Sequence, residues 1–253
     1  MRRRQHHPAT SHPVVPLEPA QLPLSPVDDW CWPSARGDGL ARLVPPEVAL
    51  AMVDPTDAEP LYAAEEEAVS RATLKRRQDF RAGRAAARSA LRQLGVADVG
   101  IPRGADGLPR WPDGFVGSIS HCPGRGGAAV ARVSEVAAVG LDIEVRRRVH
   151  SRLVAAVCTP GERAWMSASG TTLEAATLVF SAKEAVYKCV YPVMRARLAF
   201  ADVEIVADLS SGDLAATLPA QLPPAWRRLA GRFAFFTAHV ATSFWVYPTA
   251  VDG

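Results

Sequence analysis

At 253 residues, with 48% apolar and 22% charged side chains, the chain has room for one large domain or two small ones. That balance excludes a mostly disordered protein. Its net charge of +3, from 29 basic and 26 acidic residues, is too even for a dedicated nucleic-acid or membrane-surface protein. Only three of the 29 basic residues are Lys, so 26 are Arg. Two of the three, Lys183 and Lys188, share the stretch FSAKEAVYK; against an arginine bias, this points to a place where a compact ammonium matters.

Residues 1–42 are rich in Pro and lack hydrophobic periodicity, which predicts a mobile extension. No apolar signal-peptide core follows MRRRQHH, and the scattered Cys31, Cys122, Cys158 and Cys189 carry no metal-finger spacing. Reduced thiols in a cytoplasmic protein are the expectation. From Glu65 to Leu94, apolar and small residues at three-and-four spacing (Val69, Ala72, Phe80, Gly83, Ala87, Ala90, Leu94) predict one long helix, with Gly95 as its stop. Arg77, Arg81, Arg84 and Arg88 form a stripe on it, either a solvated face or a contact for phosphate groups.

A Gly/Pro-rich loop then leads to FVGSISH and AAVARV, two predicted strands of a hairpin around PGRGG. Ser120 and His121 end the first strand beside that turn, a hydroxyl and an imidazole suited either to a phosphate or to stabilising the turn. Ala137–Val145 is the clearest strand: Leu141, Ile143 and Val145 alternate with Asp142 and Glu144, so the two carboxylates share one face. They read as a solvent-facing acidic edge or as a pair relieved by Mg²⁺. Thr159 or Pro160 opens a helix, and Leu173–Tyr191 forms another, ended by Pro192. In the latter, Glu184 interrupts the apolar stripe Leu173, Thr177, Phe180, Tyr187, Tyr191, as the partner of Lys188 or of a metal. Val203–Val206 is a short strand. The uncharged run 233–251 is 19 residues long, yet its aromatic and β-branched residues favour a buried β-hairpin over a membrane helix. Strands and helices mix without regular alternation, which predicts an α+β fold.

In order, KRRQDFRAGRAAARSALRQLG, GLPRWPDGFVGSISHC, VGLDIE and FSAKEAVYK resemble the 4′-phosphopantetheinyl transferases, in particular the larger Sfp type and its enterobactin synthetase component D-like branch. The resemblance runs from about Leu43 into the 190s. It implies a pseudo-dimer of two similar α+β halves, here 43–133 and 134–253, with coenzyme A in the cleft between them. It further implies transfer of the phosphopantetheine arm to a Ser of an acyl, peptidyl or aryl carrier protein, with release of 3′,5′-ADP. Carriers of peptide or polyketide synthases, siderophore assembly or fatty-acid synthesis are the expected partners. By the same resemblance Asp142, Glu144 and Glu184 hold Mg²⁺, for which Mn²⁺ could substitute. Glu184 is the candidate general base, Lys188 neutralises the pyrophosphate with Lys183 close by, Ser120 and His121 contact phosphates, and Arg76, Arg84 and Arg103 grip the nucleotide end. A monomer without nucleic-acid or membrane partners is expected. The competing readings are a nucleic-acid-binding module using the arginine stripe and a silent paralogue that only binds a carrier.

Overall fold

The computed structural model describes residues 42–97, 99–146, 148–169 and 172–248. The extension expected over 1–42 lies, Arg42 apart, outside the described residues.

The first half is built on a three-stranded antiparallel sheet in the order β1 (Val48–Val53), β3 (Arg125–Arg132), β2 (Phe115–Cys122). The β2–β3 pair is the hairpin expected from FVGSISH and AAVARV, with Cys122 opposite Arg125 across the turn. One sheet face carries Ala49, Ala51, Ala128 and Val130 and packs on helix α2 (Leu74–Gln93). Small residues on both sides, Ala86, Ala87 and Ala90 among them, let helix and sheet approach closely. Helix α1 (Ala63–Glu66), with a single 3₁₀ turn behind it, precedes α2.

The single helix expected from Glu65 to Leu94 is therefore broken. Thr73 takes an extended conformation (ψ 157°) and its side chain accepts the Arg76 N–H at 3.4 Å, so it caps a new helix rather than continuing the old one. Gly95 does stop α2, in the left-handed region at φ +82°.

The second half holds a five-stranded antiparallel sheet, β4 (Ala138–Val145), β8 (His239–Val246), β7 (Arg228–Phe235), β6 (Asp213–Thr217), β5 (Glu204–Ala207), in that spatial order. The run 233–251 thus does enter a buried hairpin, β7–β8, and no described helix is long and apolar enough to cross a membrane. Helices α3 (Ser151–Val157), α4 (Pro160–Ser169) and α5 (Thr172–Met194) follow β4, and α5 covers the sheet. Leu178, Ala182 and Val186 of α5 meet Val240, Phe244 and Leu229 there. Each large side chain buried in this way contributes about 1.5–3 kcal/mol. Pro192 lies inside α5 and does not end it. In the last turn, its ring costs one carbonyl partner; the helix closes two residues later, before Arg195 at φ +54°.

Polar links join the sheets. β4 is an edge strand, and its free N–H groups face β2. Leu141 N–H donates to Ser118 Oγ at 3.0 Å and Ile143 N–H to Ser120 Oγ at 3.2 Å. The serines alternate on β2, so one face of that strand seals an edge that would otherwise be open. Val139, Leu141 and Ile143 pack in the same region with Leu43, Ala129, Ala131 and Ala241. The result is an α+β fold of two sheet-and-helix parts.

Candidate active site

The face of β4 opposite Leu141 and Ile143 is turned not to solvent but to α5. Gly140 makes this possible: a Cβ there would collide with the Ala185 carbonyl oxygen and the Cys189 backbone nitrogen, so glycine lets the helix backbone rest on the strand. The next residue on that face, Asp142, is consequently buried, and Lys188 reaches it from α5. Lys188 Nζ donates to Asp142 Oδ1 at 2.7 Å and to Ser120 Oγ at 2.9 Å. Ser120 Oγ in turn donates to Asp142 Oδ1 at 3.0 Å. Strand β2, strand β4 and helix α5 therefore converge on one carboxylate.

Its other oxygen, Oδ2, is buried with no hydrogen-bond partner. Two further acids share its field. Burial, then the charge of Asp142, pushes Glu144 up to about 7; Arg148, 3.7 Å away, opposes the shift. Burial and Asp142 also raise the Glu184 carboxyl above the ordinary carboxylate value. Crowded, desolvated carboxylates of this kind hold protons more tightly until a cation relieves them. Among the described residues, however, no three acidic, His or Cys side chains are closed into a ligand cluster. The expected set Asp142, Glu144, Glu184 is brought into one field but not drawn together. An orphaned buried oxygen in an all-oxygen set fits a hard divalent cation such as Mg²⁺.

On the other side of Ser120, His121 Nε2 lies 2.7 Å from Arg76 Nη1. Arginine can only donate, so His121 accepts and is neutral there. Burial, then the Arg76 charge, pushes His121 below its ordinary value, in agreement. Arg84 is buried, donates from Nε to the Ile101 carbonyl at 2.6 Å and stacks on Phe80 with 4.2 Å to the ring centroid. Burial, opposed by Glu65 and reinforced by Arg103, Arg76 and Arg88, lowers it to about 10, so Arg76, Arg84 and Arg103 share one basic region. Arg103 borders a cavity of about 400 Å³ lined also by Ala64, Ala68, Gly104 and Gly107.

The family model for the 4′-phosphopantetheinyl transferase N-terminal domain matches residues 64–131, and that for the 4′-phosphopantetheinyl transferase superfamily matches 138–242. The 4′-phosphopantetheinyl transferase Svp of Streptomyces mobaraensis is 39% identical over 65% of this chain and 68% of its own. The chain belongs to the 4′-phosphopantetheinyl transferases. The transferase PptT of Mycobacterium tuberculosis is 40% identical over 62% of this chain and 70% of its own. Enterobactin synthase component D of Salmonella typhi is 43% identical over 45% of this chain and 48% of its own. This phosphopantetheinyl transferase is thus an enzyme by kinship.

One expected site residue is displaced in this transferase. Lys183 is enclosed, paired with Glu162 at 2.8 Å and donating to the carbonyls of Val157 and Phe200 at 2.9 and 2.8 Å. It ties α5 to α4 and does not join Lys188 at Asp142. Five residues at 3.6 per turn set the two lysines about 140° apart around the helix, which is why they serve different neighbours. The arginine stripe is also taken up internally. Arg77 pairs with Glu66, Arg81 donates to the Pro55 carbonyl, and Arg88 binds Glu65 and the Pro60 carbonyl. The stripe stitches the segment before α2 onto the helix.

Sequence reasoning missed Ser118, Glu65 and Arg148. The alternation with Ser120 was available for Ser118; nothing local marks the other two. Cys122, Cys158 and Cys189 are free and buried, and burial raises all three thiols, Cys122 to about 12 and Cys158 to about 11, which leaves them unreactive.

Proposed function

We propose that this transferase moves the 4′-phosphopantetheine arm of coenzyme A to a Ser hydroxyl of an apo acyl, peptidyl or aryl carrier protein in a Mg²⁺-dependent reaction that releases 3′,5′-ADP. The observation that carries this reading is the meeting of Lys188 and Ser120 on one oxygen of buried Asp142, whose other oxygen has no partner.

Asp142, Glu144 and Glu184 would hold the cation, which when bound neutralises charge on the pyrophosphate. Each remaining role falls to a side chain of this protein. Glu184, whose carboxyl holds its proton more tightly than usual, takes the proton from the carrier Ser hydroxyl. The Ser oxygen forms a bond to the phosphorus bearing the pantetheine arm, and the bond from that phosphorus to the departing 3′,5′-ADP oxygen breaks. Lys188, whose side chain is 28% exposed, offers its ammonium to the charge developing on that oxygen. Ser120, His121 and Arg76 face the phosphates, while Arg84 and Arg103 serve the nucleotide end beside the cavity. Two joined halves in one chain support a monomeric enzyme, and buried free cysteines support a reducing cytoplasmic setting.

The assignment is tested by comparing carrier modification by the wild type with that by Asp142→Asn and Glu184→Gln, at saturating coenzyme A and Mg²⁺. Loss of at least about 100-fold in both, with retained thermal unfolding, is expected from removing groups that act at the transition state. Wild-type rates in either variant would refute that residue's role.

A further inference from the structure

A second buried ion pair lies away from Asp142. Glu65 and Arg88 meet at 2.7 Å, with side chains 0% and 2% exposed. The carboxylate also accepts the Ile101 N–H at 2.8 Å and the Tyr62 N–H at 2.9 Å. Arg84 holds the other side of the same residue, donating to the Ile101 carbonyl at 2.6 Å. Both polar groups of one loop residue are thus gripped by buried ionic side chains, one from α1 and one from α2.

The consequence lies two residues on. Arg103 begins a turn closed on itself, with Arg103 Nε donating to the Gly107 carbonyl at 3.2 Å and Gly104 N–H to the Leu108 carbonyl at 2.8 Å. That turn forms one wall of the 400 Å³ cavity, and α1 with the 3₁₀ turn behind it, through Ala64, Glu67 and Ala68, supplies another. Glu65 sits on α1 and holds the segment leading to the turn, so it sets the distance between the two walls. A buried ion pair is a poor source of net stability, since desolvation offsets its Coulomb attraction. Its charge-assisted hydrogen bonds nevertheless fix geometry strongly.

We propose that Glu65 is a positioning residue for coenzyme A, acting with Arg88 and Arg84 through Ile101 to place Arg103 against the nucleotide end. This rests on the proposed function, which puts the nucleotide end beside that cavity.

The test is Glu65→Gln, which keeps the volume and removes the charge. Titration with 3′,5′-ADP and steady-state kinetics are run on the full chain, beside Arg103→Ala and the double variant. The 3′,5′-ADP Kd and the coenzyme A KM are expected to rise about 10-fold, as when one charge-assisted hydrogen bond is misplaced. kcat at saturating coenzyme A should stay within about two-fold, and Glu65→Gln should add less than about two-fold to Arg103→Ala. An unchanged coenzyme A KM with lowered melting temperature and kcat would overturn the proposal, as would full additivity with Arg103→Ala. If Glu65→Gln does not fold, Glu65→Gln/Arg88→Gln, with no charge left unpaired, takes its place under the same criteria. Should the wild type neither bind 3′,5′-ADP nor transfer, the proposed function fails. The clamp is then judged by hydrogen exchange over residues 101–107, where faster exchange in the variant supports it and unchanged exchange overturns it.

Discussion

Replacing Lys188 by Met isolates the convergence on Asp142. The methylene stem is kept while the ammonium that donates to Asp142 Oδ1 at 2.7 Å and Ser120 Oγ at 2.9 Å is lost. Asp142 is left with its side chain 4% exposed, one hydroxyl partner and an Oδ2 that already has none. Removing one member of a fully buried pair costs about 3–5 kcal/mol because the remaining charge is uncompensated. Lys188 is 28% exposed, so water moderates the loss and about 2–3 kcal/mol is expected at pH 8. With a denaturant slope of about 2–3 kcal/mol per M, the urea midpoint falls by about 1 M. Urea unfolding at pH 8, with chelator present, reads this directly. Asp142→Asn/Lys188→Met should recover most of the loss at pH 8. A loss below about 0.5 kcal/mol at pH 8, or no recovery in the double variant, would refute the reasoning.

Three further outcomes are expected. Glu144, raised from 4.5 to about 7, stabilises the fold while protonated and loses that contribution as pH rises through about 7. Its Glu144→Gln variant, free of metal, should therefore match the wild type below pH 4.5. The shift corresponds to about 3 kcal/mol at most, reduced to about 1–2 by coupling to the neighbouring acids and by 18% exposure. Thermal unfolding of that variant at pH 8 should thus lie above the wild type by about 2–6 °C, and added Mg²⁺ should close the gap; no gap without metal would remove the crowding argument. Gly140→Ala forces α5 off β4 and should cost more than about 3 kcal/mol and most of the activity per folded molecule, whereas near-native stability would show the approach to be loose. Lys183→Met leaves Glu162 buried and unpaired and should destabilise by about 3–5 kcal/mol, largely recovered by adding Glu162→Gln. An undiminished unfolding midpoint in the single variant would contradict the tie between α4 and α5.

The contrast between Lys183 and Lys188 shows where the sequence was legible. Strand β4 and the β2–β3 hairpin carry period-two patterning, so the shared face of Asp142 and Glu144 follows from local rules. What covers that face does not, because α5 follows some thirty residues later and its docking depends on the bare backbone of Gly140. Lysine type marked the FSAKEAVYK stretch as special but did not distinguish the two roles; helix phase would have. The arginine stripe was visible, yet its partners at Pro55 and Pro60 lie in a segment without periodicity, and Glu65–Glu66 were read as the start of the same helix rather than as its partners. The break at Thr73 was hidden because good helix formers flank it on both sides, and one side-chain cap outweighs that modest preference.

The central claim is the group transfer itself. Intact-mass measurement of a panel of apo carrier proteins, incubated with this enzyme, coenzyme A and Mg²⁺, tests it most directly. A carrier that gains one phosphopantetheine on its Ser, with an equal amount of 3′,5′-ADP formed and neither product when chelator replaces Mg²⁺, is the predicted result. Carriers of unchanged mass across the panel, or equal transfer in the presence of chelator, would contradict it.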